Sequence, residues 1–171
     1  MLDTPVEVAT FGGGPASTIV LGIVRFNPDI HVNECALAWV GDSRAYLLTA
    51  AVPETLLTHD DSWASQEVDA GRMSEAEALA DPNAHAIVQW LGMSLSEMTI
   101  NTKETAVPPG STLLLCSDGL WNYLEEPTQM ARLYTEVSRD ADAVEICRRM
   151  VQYANDSGGA DNVTVGLLRA G

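Results

Sequence analysis

The chain has 171 residues, enough for one domain of ordinary size with a substantial buried core and no need of covalent staples. Its 46% apolar and 19% charged residues are those of a globular protein, and no uninterrupted apolar run approaches the roughly 18 residues of a membrane span. The formal charge of −15, from 24 acidic residues against nine basic ones, repels nucleic-acid phosphates and anionic lipid, so neither nucleic acid nor a membrane is an expected partner.

Residues 1–15 carry Pro5, Gly12, Gly13, Gly14 and Pro15 and read as a flexible lead-in, with the domain running over 16–171. From Ser17 to Phe26 the run is aliphatic and β-branched, which predicts a buried strand. Glu34 to Val40 and Arg44 to Leu48 predict two more. The Gly41-Asp42-Ser43 turn between them predicts that these two form an antiparallel hairpin.

Between Asp61 and Leu91 the composition changes to Ala, Glu, Gln and Met in blocks, broken by Gly71, Pro82 and Asn83, and predicts two or three short helices. Ser74 to Glu77 is a capping box. Met98 to Val107 reads as a strand, Pro108-Pro109-Gly110 as a turn, and Ser111 to Cys116 as a buried strand. Pro127 to Val137 and Asp140 to Asn155 read as helices, the second with Ala143, Cys147, Met150, Val151 and Ala154 on its buried face. Gly158-Gly159 ends that helix, and Val163 to Leu168 is a last strand. Strands in hairpins followed by covering helices predict an α+β sandwich, not a parallel α/β fold.

Cys35, Cys116 and Cys147 are odd in number and widely spaced, which predicts free thiols and a reducing, cytoplasmic setting. The N-terminus lacks the basic start and apolar stretch of a signal peptide. His31 and His85 fall in polar loops, and His59 precedes two aspartates where it could at most assist substrate binding. Trp39, Trp63, Trp90 and Trp121 are expected to pack in the core, since no basic patch accompanies them as in a base-stacking surface.

Three times an apolar strand abuts an aspartate among small or polar residues: at Asp42, at Asp118 and at Asp161. Strand ends aim a side chain well, and carboxylate oxygens without paired imidazole or thiolate suit magnesium, manganese or calcium. Each aspartate taken alone is better read as a turn former, and only the three together bring the metal reading level with it. Spacing does not decide between the two readings.

The residues around them carry a resemblance. Ala38 to Tyr46 (AWVGDSRAY), Leu56 to Asp60 (LLTHD), Leu114 to Trp121 (LLCSDGLW) and Gly159 to Val165 (GADNVTV) resemble, in order and spacing, motifs of the metal-dependent protein phosphatases, the PPM or type 2C family. The likeness runs from about Ala16 to Leu168, and the stretch around 62–91 looks like that family's helical flap. It implies a four-layer αββα sandwich with two magnesium or manganese ions between the sheets. It implies hydrolysis of phosphoserine and phosphothreonine in proteins, a signalling chemistry whose nucleophile is a water on the metals and not a side chain.

Residue by residue, the resemblance makes Asp118 and Asp161 ligands of the metal pair and Asp42 a contact to a third, weaker metal, with Gly119 and Asn122 as accessory positions. Asn122 stands where many members place another aspartate, and Gln89 where an arginine is common. The family's first strands carry an acidic residue, a phosphate-gripping arginine and an Asp-Gly-x-Gly-Gly loop, and none of these is found in this chain. The domain is therefore expected to lack its first strands. A second copy of the chain or an N-terminal segment is expected to cover the sheet edge so exposed. The rival reading is a catalytically inactive, phosphatase-like binding or regulatory module.

Overall fold

A computed structural model describes residues 15–49, 55–124 and 126–171. The lead-in expected over 1–15 lies outside them but for Pro15. Strands β1 (Ile19–Asn27), β2 (Val32–Val40), β3 (Arg44–Leu48) and β4 (Thr55–Leu56) come first, and helices α1 (Trp63–Asp69) and α2 (Glu75–Leu79) follow. Then come β5 (Asn101–Val107), β6 (Thr112–Cys116), a single helical turn α3 (Asp118–Trp121), helices α4 (Pro127–Val137) and α5 (Ala143–Asp156), and β7 (Val165–Arg169). Among the described residues no helix is long and apolar enough to cross a membrane.

The strands form two antiparallel sheets, β1-β2-β5 and β4-β3-β6-β7. The expected β2–β3 hairpin is therefore incorrect. β2 is paired on both sides, with β1 from Ile19↔Val40 to Asn27↔Val32 and with β5 from Asn33↔Val107 to Trp39↔Asn101. β3 instead pairs with β4 and β6. At Gly41 the chain crosses from one sheet to the other. Gly41 has φ +97, and a Cβ there would lie 2.3 Å from Thr18 Cγ2, so only glycine permits the crossing beneath β1.

Alternation along the strands builds two cores. Leu37, Trp39, Ala45, Val107 and Leu113 fill the space between the sheets. Tyr46, Leu48, Leu114 and Cys116 point to the opposite face of the four-stranded sheet, where Leu120, Met130, Leu133, Ile146, Met150 and Ala154 of α3, α4 and α5 cover them. The buried stripe of α5 is Ile146, Met150 and Ala154, and the predicted face is corrected accordingly: Ala143, Cys147 and Val151 are only half-buried. The stripe is centred where α4 and the sheet meet the helix, and Cys147 lies on its flank.

Among the described residues the layers thus run helix, sheet, sheet, an α+β sandwich with three of the four layers expected. None of the described residues covers the outer face of the three-stranded sheet. The strand expected to be buried is therefore half-exposed: Ile19, Leu21 and Ile23 of β1 point outward at 40%, 49% and 65% exposure, and among the described residues β1 pairs on one side only.

Two helices occupy the segment predicted to be helical. Ser74 Oγ accepts from Glu77 N–H while the Glu77 carboxylate accepts from Ser74 N–H, the expected capping box. Ala64, Ala78 and Ala84 form its small core. All three cysteines are free.

Candidate metal centre

The three aspartates singled out in the sequence lie at one end of the sandwich. They line a cleft of about 960 Å³ between the sheets, together with Ser17, Thr18, Ser43, Ala86, Ile87, Trp90, Ser117, Asn162 and Thr164. Asp118 follows β6, Asp161 precedes β7, and Asp42 sits at the crossing from β2 to β3. Adjacent, antiparallel strands β6 and β7, in register from Thr112↔Arg169 to Cys116↔Val165, bring Asp118 and Asp161 together although 43 positions separate them in the chain.

Backbone struts fix the spacing of these two. Ser117 N–H donates to Thr164 O at 3.1 Å. Ser117 Oγ donates to Asn162 O at 3.2 Å and accepts from Thr164 N–H at 2.9 Å. Gly119 lies so close to Asn162 that a Cβ would stand 2.4 Å from its carbonyl oxygen. On the far side Tyr123 Oη accepts from Ala160 N–H at 3.0 Å, holding the loop just before Asp161. The sequence suggested a plain loop at Asp118, but that residue opens the turn α3, and its carboxylate accepts from Gly119 N–H at 2.8 Å.

Asp42 is held through Trp121, which is itself braced by a second layer of contacts. Trp121 Nε1–H donates to Asp42 O at 2.9 Å, the Trp121 ring carries the Arg44 guanidinium 3.6 Å above its centroid, and Arg44 is bound through Nε and Nη2 to the Asp60 carboxylate. Thr18 Oγ1 and Ser43 Oγ are 2.9 Å apart. The Arg44–Asp60 pair is largely shielded from water, with both side chains at most 14% exposed. That pairing engages the Arg44 guanidinium with Asp60, while Asp118 and Asp161 accept from the backbone N–H groups of Gly119 and Asn162.

Their electrostatics follow. Asp42, 6% exposed, has its carboxyl pushed up to about 6, first by burial and then by the charges of Asp118 and Asp60. The Asp118 carboxyl is also raised, by burial and by Asp161. Mutual repulsion, offset at Asp42 only in part by the Arg44 charge, is the condition that a hard cation relieves, and the all-oxygen donor set suits magnesium or manganese. The fit is partial. Among the described residues no three His, Cys, Asp or Glu side chains converge closely enough to cage an ion. Asp118 and Asp161 are two oxygen donors of the kind such a cation takes.

Of the accessory positions, Gly119 is buried and sets the close approach just described, while Asn122 is exposed at the end of α3 and is not among the residues that line the cleft. Gln89 lies at the flap's end, bound to Asp61 and to Thr99 N–H. His31, His59 and His85 are exposed, and His59 is engaged with Asp69. Trp39 and Trp121 are buried, as expected, and Trp63 and Trp90 half-buried. Sequence reasoning did not find Thr18, Arg44, Asp60 or Trp121 as supports. Their contacts span from 16 to 79 positions, which no local pattern encodes.

Residues 41–171 match the family described as Stage II sporulation protein E (SpoIIE). The chain belongs to this family, a PP2C-like domain. The SpoIIE-type domain is 34% identical over 133 residues to the serine/threonine protein phosphatase PstP of Mycobacterium tuberculosis, covering 78% of this chain and 24% of the relative. It is 32% identical over 155 residues to the serine/threonine phosphatase stp of Listeria monocytogenes, covering 91% and 57%. The crystal structure of the M. tuberculosis phosphatase superposes with a TM-score of 0.68 at 27% identity, over 89% of this chain and 60% of that one. A structure of the PstP catalytic domain in complex with two manganese ions superposes at 0.60 and 27% identity, over 86% and 56%. The domain therefore spans about a quarter to somewhat over half of the length of these relatives.

Proposed function

We propose that the domain takes part in hydrolysis of phosphoserine and phosphothreonine in proteins, using magnesium or manganese held by Asp118 and Asp161, with a weaker ion beside Asp42. The single observation that carries the reading is the pair Asp118 and Asp161, locked to one another by Ser117 and Gly119 in the cleft and, among the described residues, without an ion pair to a side-chain cation. The names of the relatives, and the two manganese ions in one of them, support it.

A bound divalent ion supplies charge neutralisation of the phosphoryl group and a more acidic water. The chain's own residues supply the rest. Asp118 and Asp161 hold and orient, and the Ser117 strut keeps their separation constant. Ile87 and Trp90 form an apolar wall on one side of the cleft. No side chain acts as a covalent nucleophile: Ser117 Oγ is bonded to backbone on both sides and not to an imidazole.

The free thiols support a cytoplasmic setting and thus a signalling role. The open edge of β1 and the outward Ile19, Leu21 and Ile23 support a covering partner, either a second copy of the chain or a further segment of polypeptide.

Hydrolysis of a chromogenic aryl phosphate tests the proposal, with manganese, with chelator, and with Asp118→Ala. Turnover with manganese that is lost in the other two samples is expected. Equal turnover in all three would remove the metal chemistry from this site.

A further inference from the structure

The flap is tied to the rest of the domain at both of its ends by one side chain. Asp61 is 9% exposed, and its carboxylate accepts three hydrogen bonds from three separate parts of the chain. Gly41 N–H donates to Oδ2 at 2.8 Å, while Gln89 Nε2–H and Asn101 Nδ2–H donate to Oδ1 at 3.0 and 2.9 Å. The Asp61 backbone adds N–H to Gly41 O at 3.0 Å and accepts from Val88 N–H at 2.8 Å.

Three N–H donors converging on two oxygens require a carboxylate. An amide of the same shape offers one acceptor and turns two hydrogens toward donors. The positions tied are also informative. Gly41 immediately precedes Asp42, and Gln89 lies between Ile87 and Trp90, which form the flap's wall of the cleft.

We propose that Asp61 is a positioning residue that locks the flap wall to the strand end carrying Asp42, and so sets how a phosphopeptide is seated over the acidic centre. The lock rests on the hydrogen bonds alone; its consequence for substrate rests on the phosphatase reading.

The test uses the full chain as wild type, Asp61→Asn, and Asp61→Asn with Gln89→Glu. In the single variant, amide exchange at residues 86–91 should rise about 100-fold while that of β6 is unaltered, since a broken buried network opens locally. KM for a phosphothreonine peptide with manganese should rise about tenfold with kcat within about threefold. The double variant returns a carboxylate facing an amide and should recover both readouts to within about threefold. Exchange that is unchanged, or that rises equally in β6, overturns the proposal, as does a double variant without recovery. Gln89→Ala removes one donor and leaves two, so its flap exchange should rise about tenfold even if Asp61→Asn does not fold; unchanged exchange there also refutes the lock. Absence of hydrolysis by the wild type would remove the phosphatase reading, while the exchange measurements would still decide the lock.

Discussion

Asp42→Asn should stabilise the metal-free protein at neutral pH. The Asp42 carboxyl is buried and its titration is displaced from an ordinary value of 3.8 to about 6. A carboxyl raised in the folded state contributes stability that is fully present below about 3.8 and lost as pH rises through about 6. At pH 7 the ionised side chain therefore opposes folding. The displacement corresponds to at most about 3 kcal/mol, and water in the adjoining cleft reduces this to about 1–2 kcal/mol. Asparagine keeps the side-chain shape, and the bond from Trp121 Nε1–H goes to the Asp42 backbone carbonyl, which the substitution does not touch. Urea unfolding of chelator-treated protein at pH 4 and pH 7 measures the effect. Asp42→Asn should be more stable than the parent at pH 7 by about 1–2 kcal/mol, about 2–8 °C in Tm, with a flatter dependence between the two pH values. A variant less stable than its parent at pH 7, or an unchanged pH dependence, would show that repulsion and burial do not govern this carboxylate.

Other substitutions probe the remaining parts. Asp118→Asn and Asp161→Asn should each abolish the heat of manganese binding in calorimetry, because two ligands are too few to lose one. Gly119→Ala places a methyl 2.4 Å from Asn162 O and should destabilise by about 1–3 kcal/mol in urea unfolding, within the range for overpacking, while also weakening manganese binding by spreading the two loops. Met150→Ala, in the core under the four-stranded sheet, should reduce stability by about 2–5 kcal/mol without changing manganese affinity. Ile23→Lys, at 65% exposure, should leave the unfolding of the isolated chain within about 0.5 kcal/mol and shift sedimentation to smaller species if a second copy covers β1.

The elements were legible from the sequence because each has a local cause. β3 and α4 match their predicted limits, and the Ser74 capping box forms as its spacing requires. What the sequence left unreadable was which strands pair. Gly41-Asp42-Ser43 has the composition of a hairpin turn, yet β2 is already saturated by β1 and β5, so the same residues carry the chain between sheets. The candidate ligands were legible through the motifs around them, and the structure adds how they are held. Ser117 is a strut between the two loops. Gln89 was noted for what it replaces, and it is one of three donors to Asp61.

The two halves of the cleft are built by different means, and this bears on what each can do. Asp118 and Asp161 are fixed by backbone hydrogen bonds and by a glycine that admits no side chain, between adjacent strands of one sheet. Such an arrangement holds its spacing whether or not an ion is present, and it is the preorganisation that a metal centre requires. Asp42 reaches the same cleft from the crossing between sheets, supported by Trp121, by Arg44 and, through Gly41, by the flap's own anchor. Its support is made of side chains from distant segments, whereas Asp118 and Asp161 rest on contacts between neighbouring backbone segments. A substitution in the supports of Asp42 should therefore disturb that carboxylate while leaving the spacing of the other two unaltered.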